Sequence, residues 1–177
     1  MQITFRPPQL SDYPALSEYI NELSAERTFI RLQGKVLTED EEKEYLSSFI
    51  KQIEAKTAVK LFAFDNETLI GGADVTLGYG AELHVGLFGI TIRKSHRGLG
   101  IGTTLLHKTI QLAIESLPDL EILTLSVFSD NEKAKKMYQK VGFIPYGSLP
   151  NGVIRDGEHS DHEYMYLPKE KYVSLSS

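Results

Sequence analysis

The chain has 177 residues, 41% of them hydrophobic, which suits one domain (1–177) able to bury a core without staples. It contains no cysteine, excluding a disulfide scaffold, a thiol nucleophile and any thiolate metal site. A formal charge of −5 supplies no global positive field for nucleic acid, and no apolar run approaches the ~20 residues that span a bilayer.

Residues 1–10 lack the basic start and apolar run of a signal peptide, so the expectation is a cytoplasmic protein. Residues 2–6 alternate as a short strand that stops at Pro7 and Pro8. Ser11 can cap a helix carrying Leu16, Tyr19, Ile20 and Leu23 on one face. Thr38 and Glu41 form a capping box ahead of Tyr45, Leu46, Phe49, Ile50 and Ile53. Residues 58–64 and 68–77 read as strands joined at Asp65-Asn66-Glu67, and 81–92 as a long, mostly apolar strand. A glycine-rich turn at 97–102 leads into a helix that buries Leu105, Leu106, Ile110, Ala113, Ile114 and Leu117 and ends at Pro118. A strand over 121–128 precedes a helix from Asn131 to Val141, closed by Gly142. Phe143–Tyr146 and Glu163–Leu167 read as two last strands around a polar loop. The order is mixed α/β rather than strict βαβ alternation.

The stretch from Phe88 to Gly102, FGITIRKSHRGLGIG, carries the most chemistry. A strand and a tight turn deliver glycines to the start of a helix. Unpaired backbone N–H groups and the positive end of the helix dipole there suit a phosphate. Gly98, Gly100 and Gly102 remove the Cβ atoms that would hold a ligand off the backbone, although three glycines also make a plain tight turn. A P-loop needs Lys and Ser or Thr after its last glycine, and Thr103-Thr104 stand there; a dinucleotide fingerprint needs glycine or alanine where Thr103 stands. Both fail.

The segment Arg97-Gly98-Leu99-Gly100-Ile101-Gly102 resembles the acetyl-CoA signature of the GNAT family of N-acetyltransferases, and Gly89-Ile90-Thr91-Ile92 resembles the strand that precedes it. A second matching element opens at Asn131, reaches Tyr138 seven residues later and closes at Gly142-Phe143; the resemblance covers roughly residues 58–146. It implies a mostly antiparallel central sheet flanked by helices, the acyl-CoA transferase fold. It further implies that acetyl-CoA is the cosubstrate, with Ile90, Thr91 and Ile92 pairing its pantetheine arm. Arg97, Gly98, Leu99, Gly100, Ile101 and Gly102 would hold the pyrophosphate, beside Asn131. Tyr138 becomes the general acid that protonates sulfur, although Ala134, Met137, Tyr138 and Val141 also form one apolar face that packing alone explains.

Acetyl transfer needs a neutral amine, so a proton must leave a group that titrates near ~10. N–H groups at a break in the strand near Ile90 would hold the oxyanion. The branch that acetylates ribosomal-protein N-termini has a glutamate five residues before the asparagine; Ser126 stands there. Glu82 and His84, two apart on the strand expected over 81–92, are the alternative bases, or else a solvated polar pair. His159 and His162, with Asp161 and Glu163, read as a solvated turn, and no metal is expected. The run Glu39-Asp40-Glu41-Glu42, with Asp156, Glu158 and Asp161, either complements helix ends or attracts a cationic substrate.

The expected function is acetyl transfer to a primary amine, favouring a cationic small molecule such as a polyamine or amino sugar. The alternatives are a non-catalytic acetyl-CoA-binding module, a peptide N-terminal acetyltransferase and an unrelated NAD- or ATP-binding protein. No nucleic-acid or membrane partner is expected, and a homodimer is compatible with the sequence.

Overall fold

The computed structural model describes residues 2–176. In chain order it contains β1 (Ile3–Arg6), α1 (Tyr13–Ala25), α2 (Glu39–Glu54), β2 (Ala58–Asp65), β3 (Thr68–Leu77) and β4 (Val85–Ile92). There follow α3 (Ile101–Ser116), β5 (Ile122–Phe128), α4 (Glu132–Val141), β6 (Ile144–Arg155), β7 (Glu158–Pro168) and α5 (Lys169–Ser176). The strands form one sheet in the order β1-β2-β3-β4-β5-β7-β6. Every neighbouring pair is antiparallel except β4 and β5.

Strand alternation sends side chains to two apolar layers. On one face Val59, Leu61, Ala73, Val75, Phe88, Leu123 and Leu125 pack against α3 and α4 through Leu105, Leu106, Ile110, Tyr138 and Val141. On the other, Phe62 and Phe64 meet Leu16, Tyr19, Leu23 and Leu46 from α1 and α2. The capping box at Thr38 forms: Glu41 N donates to Thr38 Oγ1 at 3.2 Å and Thr38 N donates to Glu41 Oε2 at 2.8 Å. The cap of α1 is Asp12 rather than Ser11, because a 3-10 turn over Leu10–Asp12 precedes the helix.

The strand expected over 81–92 begins only at Val85. Gly80–Glu82 coil into a 3-10 turn, entered through Gly80 at φ +58° and tied by Gly78 N donating to Val85 O at 2.9 Å. Glu82 and His84 therefore precede β4 and share no strand face. The polar loop expected after Tyr146 is itself strand. β6 and β7 form a long hairpin turning through Asp156 and Gly157, both at positive φ, the signature of a tight hairpin turn. Edge strand β6 is largely solvated, so its residues lack the apolar alternation that marks a strand. A last helix, α5, goes beyond the expected elements.

One irregularity positions the site. β4 stays paired with β3 out to Ile92, with no shift of register, so the expected break within the strand is absent. On its other edge β4 meets β5 only over Val85–Leu87 against Ile122–Thr124. Beyond Leu87 and Thr124 the two strands part and leave a wedge in the sheet. No helix among the described residues is long and apolar enough to cross a membrane.

Candidate active site

Backbone polarity alternates along β4. Val85 O and Arg93 N bond toward β3, whereas His84 O and Gly86 O accept from β5. The same alternation aims the N–H and C=O groups of Phe88 and Ile90 into the wedge, where no strand meets them. A cavity of about 690 Å³ fills this wedge, lined from both sheet faces.

On the α3–α4 side the glycine turn opens onto the cavity. Gly98 and Gly100 take φ of +84° and +81°, and Gly100 is the N-cap of α3. A Cβ at Gly100 would meet nothing within 4 Å, and one at Gly98 only Lys133 Nζ at 3.8 Å. The open space, the first-turn N–H groups and the lysine together fit a pyrophosphate. Sequence reasoning missed Lys133; its proximity comes from α4 folding beside the turn. Asn131 caps α4 by accepting from Ala134 N at 3.2 Å and also lines the cavity, as Ile90, Thr91 and Ile92 do.

Three members of the expected set contribute differently. Arg97 donates through Nε to Ile92 O at 2.8 Å and pairs with Glu26 at 2.7 Å, so its side chain pins the turn to β4 and α1. Leu99 is exposed and Ile101 is buried in the core, and neither lines the cavity; each offers backbone alone. Thr91 Oγ1 accepts from Tyr19 O–H at 2.9 Å, which fixes α1 over the end of β4.

Tyr138 projects from α4 into the same cavity, its ring edge-on to Phe88 and Phe143 at centroid distances of 6.3 and 5.9 Å. Tyr138 thus packs in the core, as its apolar helix face predicts, and also faces the cavity. Burial pushes its phenol up to about 12, so the hydroxyl stays protonated at working pH.

The α1–α2 side of the wedge is lined by Phe29, Arg31, Asp74, Leu87, Ser126, Phe128 and His162. Glu82 and His84 are absent from the lining: the structure leaves them beyond the paired end of β4, away from the wedge. The titratable groups that replace them are Asp74 and His162. Asp74 accepts from Lys60 at 2.9 Å. Burial alone would lower the Lys60 ammonium, but the Asp74 carboxylate and the Tyr45 hydroxyl together outweigh it and keep Lys60 charged. His162 is buried against Phe128 and Tyr164; burial and then the Arg31 charge push its imidazole below the ordinary range, which keeps it neutral. His159 and His162 sit three apart on β7, hence on opposite faces.

None of the acids expected to draw a cationic substrate lines the cavity. Glu41 serves the cap of α2, Asp156 pairs with Arg27, and Asp161 accepts from Asn151 N.

Comparisons with known proteins identify the family. The profile of the acetyltransferase (GNAT) family matches residues 19–143. The chain is 30% identical to spermidine N(1)-acetyltransferase of Vibrio cholerae serotype O1 over 50% of its length and 51% of that protein's. It is 33% identical to the L-amino acid N-acetyltransferase AaaT of Escherichia coli K12 over 46% of its length and 50% of that protein's. The matches thus span about half the length of these curated relatives. Among solved structures, a GNAT-family acetyltransferase from Streptococcus pneumoniae superposes with a TM-score of 0.85 at 29% identity, covering 94% of this chain and 99% of that one.

Proposed function

We propose that this chain, which belongs to the acetyltransferase (GNAT) family, moves the acetyl group of acetyl-CoA onto the primary amine of a small molecule. One observation carries the reading: a single cavity crosses the sheet, with a glycine-rich helix start on one side and polar side chains on the other. Residues 1–177 are read as one catalytic domain, since one sheet runs from Ile3 to Pro168.

Bound acetyl-CoA supplies the thioester. The N–H groups of the 98–102 turn and Lys133 hold its pyrophosphate by charge and backbone donation. The N–H of Ile90, aimed into the wedge, donates to the carbonyl oxygen as negative charge develops there. His162, neutral at working pH, accepts the proton that the amine sheds as its nitrogen bonds the acetyl carbon. Tyr138 donates its hydroxyl proton to the sulfur as the carbon–sulfur bond breaks, and solvent reprotonates the phenol.

This assignment has a pH signature. Protonation of His162 removes the acceptor, so kcat/KM falls as pH drops through the His162 pKa. Because burial and Arg31 depress that pKa, the acid limb lies below the ~6.5 of a free imidazole. His162→Gln should erase that limb from the pH–rate profile. A limb that persists unchanged would assign the base elsewhere, or show that the amine arrives neutral.

A cationic acceptor such as a polyamine or amino sugar is supported by the spermidine-acetylating relative. The cavity itself favours a different amine, argued below. A panel of amines offered with acetyl-CoA, read as thiol release, tests the activity. The chain lacks cysteine, so every thiol detected comes from the cosubstrate. A folded protein that binds acetyl-CoA and releases no thiol with any amine would be a binding module instead.

A further inference from the structure

The sequence holds six arginines, and five of them meet a carboxylate. Arg6 pairs with Asp12, Arg27 with Asp156, Arg93 with Glu18 and Glu22, Arg97 with Glu26, and Arg155 with Asp130. Among the described residues Arg31 alone meets none. Its Nη2 donates instead to a neutral partner, Ser126 Oγ, at 2.9 Å, and both side chains line the α1–α2 side of the cavity.

The hydrogen-bond inventory here is one-sided. Ser126 Oγ accepts from Arg31, so its own hydroxyl proton is left to donate. Arg31 keeps further N–H groups in a planar fork. The one acid in the lining, Asp74, is engaged by Lys60. An acceptor entering past Arg31 thus meets donors and a fixed positive charge, which match the two oxygens of a carboxylate. A polycation would bring like charge to the same spot.

Resting on the acetyltransferase reading, we infer that the acceptor is a small amine that also carries a carboxylate, an amino acid or near analogue. Arg31 and Ser126 hold the carboxylate, which leaves the amine to reach the wedge. Ser126 then has a role of its own: a glutamate at this position would pair with Arg31 and cancel the receptor.

The experiment offers the full chain acetyl-CoA with the common L-amino acids, their α-amides, spermidine and O-phosphoethanolamine, and reads thiol release. The wild type should prefer free acids to their amides at least about tenfold in kcat/KM. That ordering opposes intrinsic reactivity, since an α-amide has the less basic, more often neutral amine. Arg31→Gln should raise the KM of the best amino acid by ~10–100-fold, the range expected for one charge-assisted bond. Arg31 also helps depress the His162 pKa, so the comparison is made well above that acid limb. There the variant's kcat, its rates with amides and its KM for acetyl-CoA should hold, and Arg31→Lys should restore part of the loss. Arg31 is exposed and, among the described residues, its side chain bonds Ser126 alone, so both variants should fold, which thermal melting checks. Amides or spermidine outrunning the free acids, an unmoved KM in Arg31→Gln, or preference for the phosphate ester each overturns the carboxylate assignment while the acetyltransferase reading stands. A folded protein that releases no thiol with any of the amines removes the acetyltransferase reading, and this inference with it.

Discussion

Removing one hydroxyl, in Tyr138→Phe, is expected to lower kcat and kcat/KM together by ~10²-fold while acetyl-CoA affinity stays within about threefold. The ring still packs edge-on to Phe88 and Phe143, so the melting temperature should hold. On the proposed mechanism, what disappears is the proton given to the departing sulfur, an interaction made mainly in the transition state. A phenol near 12 is a weak acid toward a thiolate, but the apolar surroundings that raise it raise a thiol in the same place too. Because a thiolate is a fair leaving group, the lower end of the usual range for a positioned acid applies. Thiol release at saturating acetyl-CoA measures the effect. Full activity in the folded variant would show that water protonates the sulfur and that Tyr138 serves packing alone.

Gly100→Asp is expected to weaken acetyl-CoA binding by ~10²-fold or more in calorimetry, with the fold intact. A Cβ at residue 100 has room, so the loss is not steric within the protein. It comes from a negative charge set among N–H groups that would otherwise face phosphate, a like-charge juxtaposition that costs several kcal/mol. The same charge is favourable at the N-cap of α3, and Asp tolerates the left-handed φ of +81°, so the helix should survive. Gly100→Asn keeps the shape and that tolerance without the charge, and should lose far less. Equal affinity in the wild type and Gly100→Asp would move the pyrophosphate off this turn.

The two halves of the cavity differ in how far local sequence reveals them. The glycine turn, the Asn131 cap and Tyr138 lie on short segments that the family resemblance picks out, where spacing alone also reads as a plain tight turn and an apolar helix face. The wedge is legible in neither way, because it depends on where β4 stops pairing β5, a property of packing across the sheet. Glu82 and His84 alternate as if on a strand, yet the glycines at 78 and 80 turn the chain before β4 begins. Arg31 and Ser126 stand 95 positions apart, and no local pattern brings them together. For His162 a signal existed: with Tyr164 and Tyr166 it alternates at period two along β7, whereas its polar neighbours made the stretch look like a turn.

The parting of β4 from β5 makes the cavity a passage through the sheet rather than a blind cleft. With the proposed sites, donor and acceptor would enter from opposite sides, so neither would stand in the other's doorway. On the proposed reading the protein could therefore hold both at once, whichever arrives first, and hand the acetyl group across directly in a ternary complex.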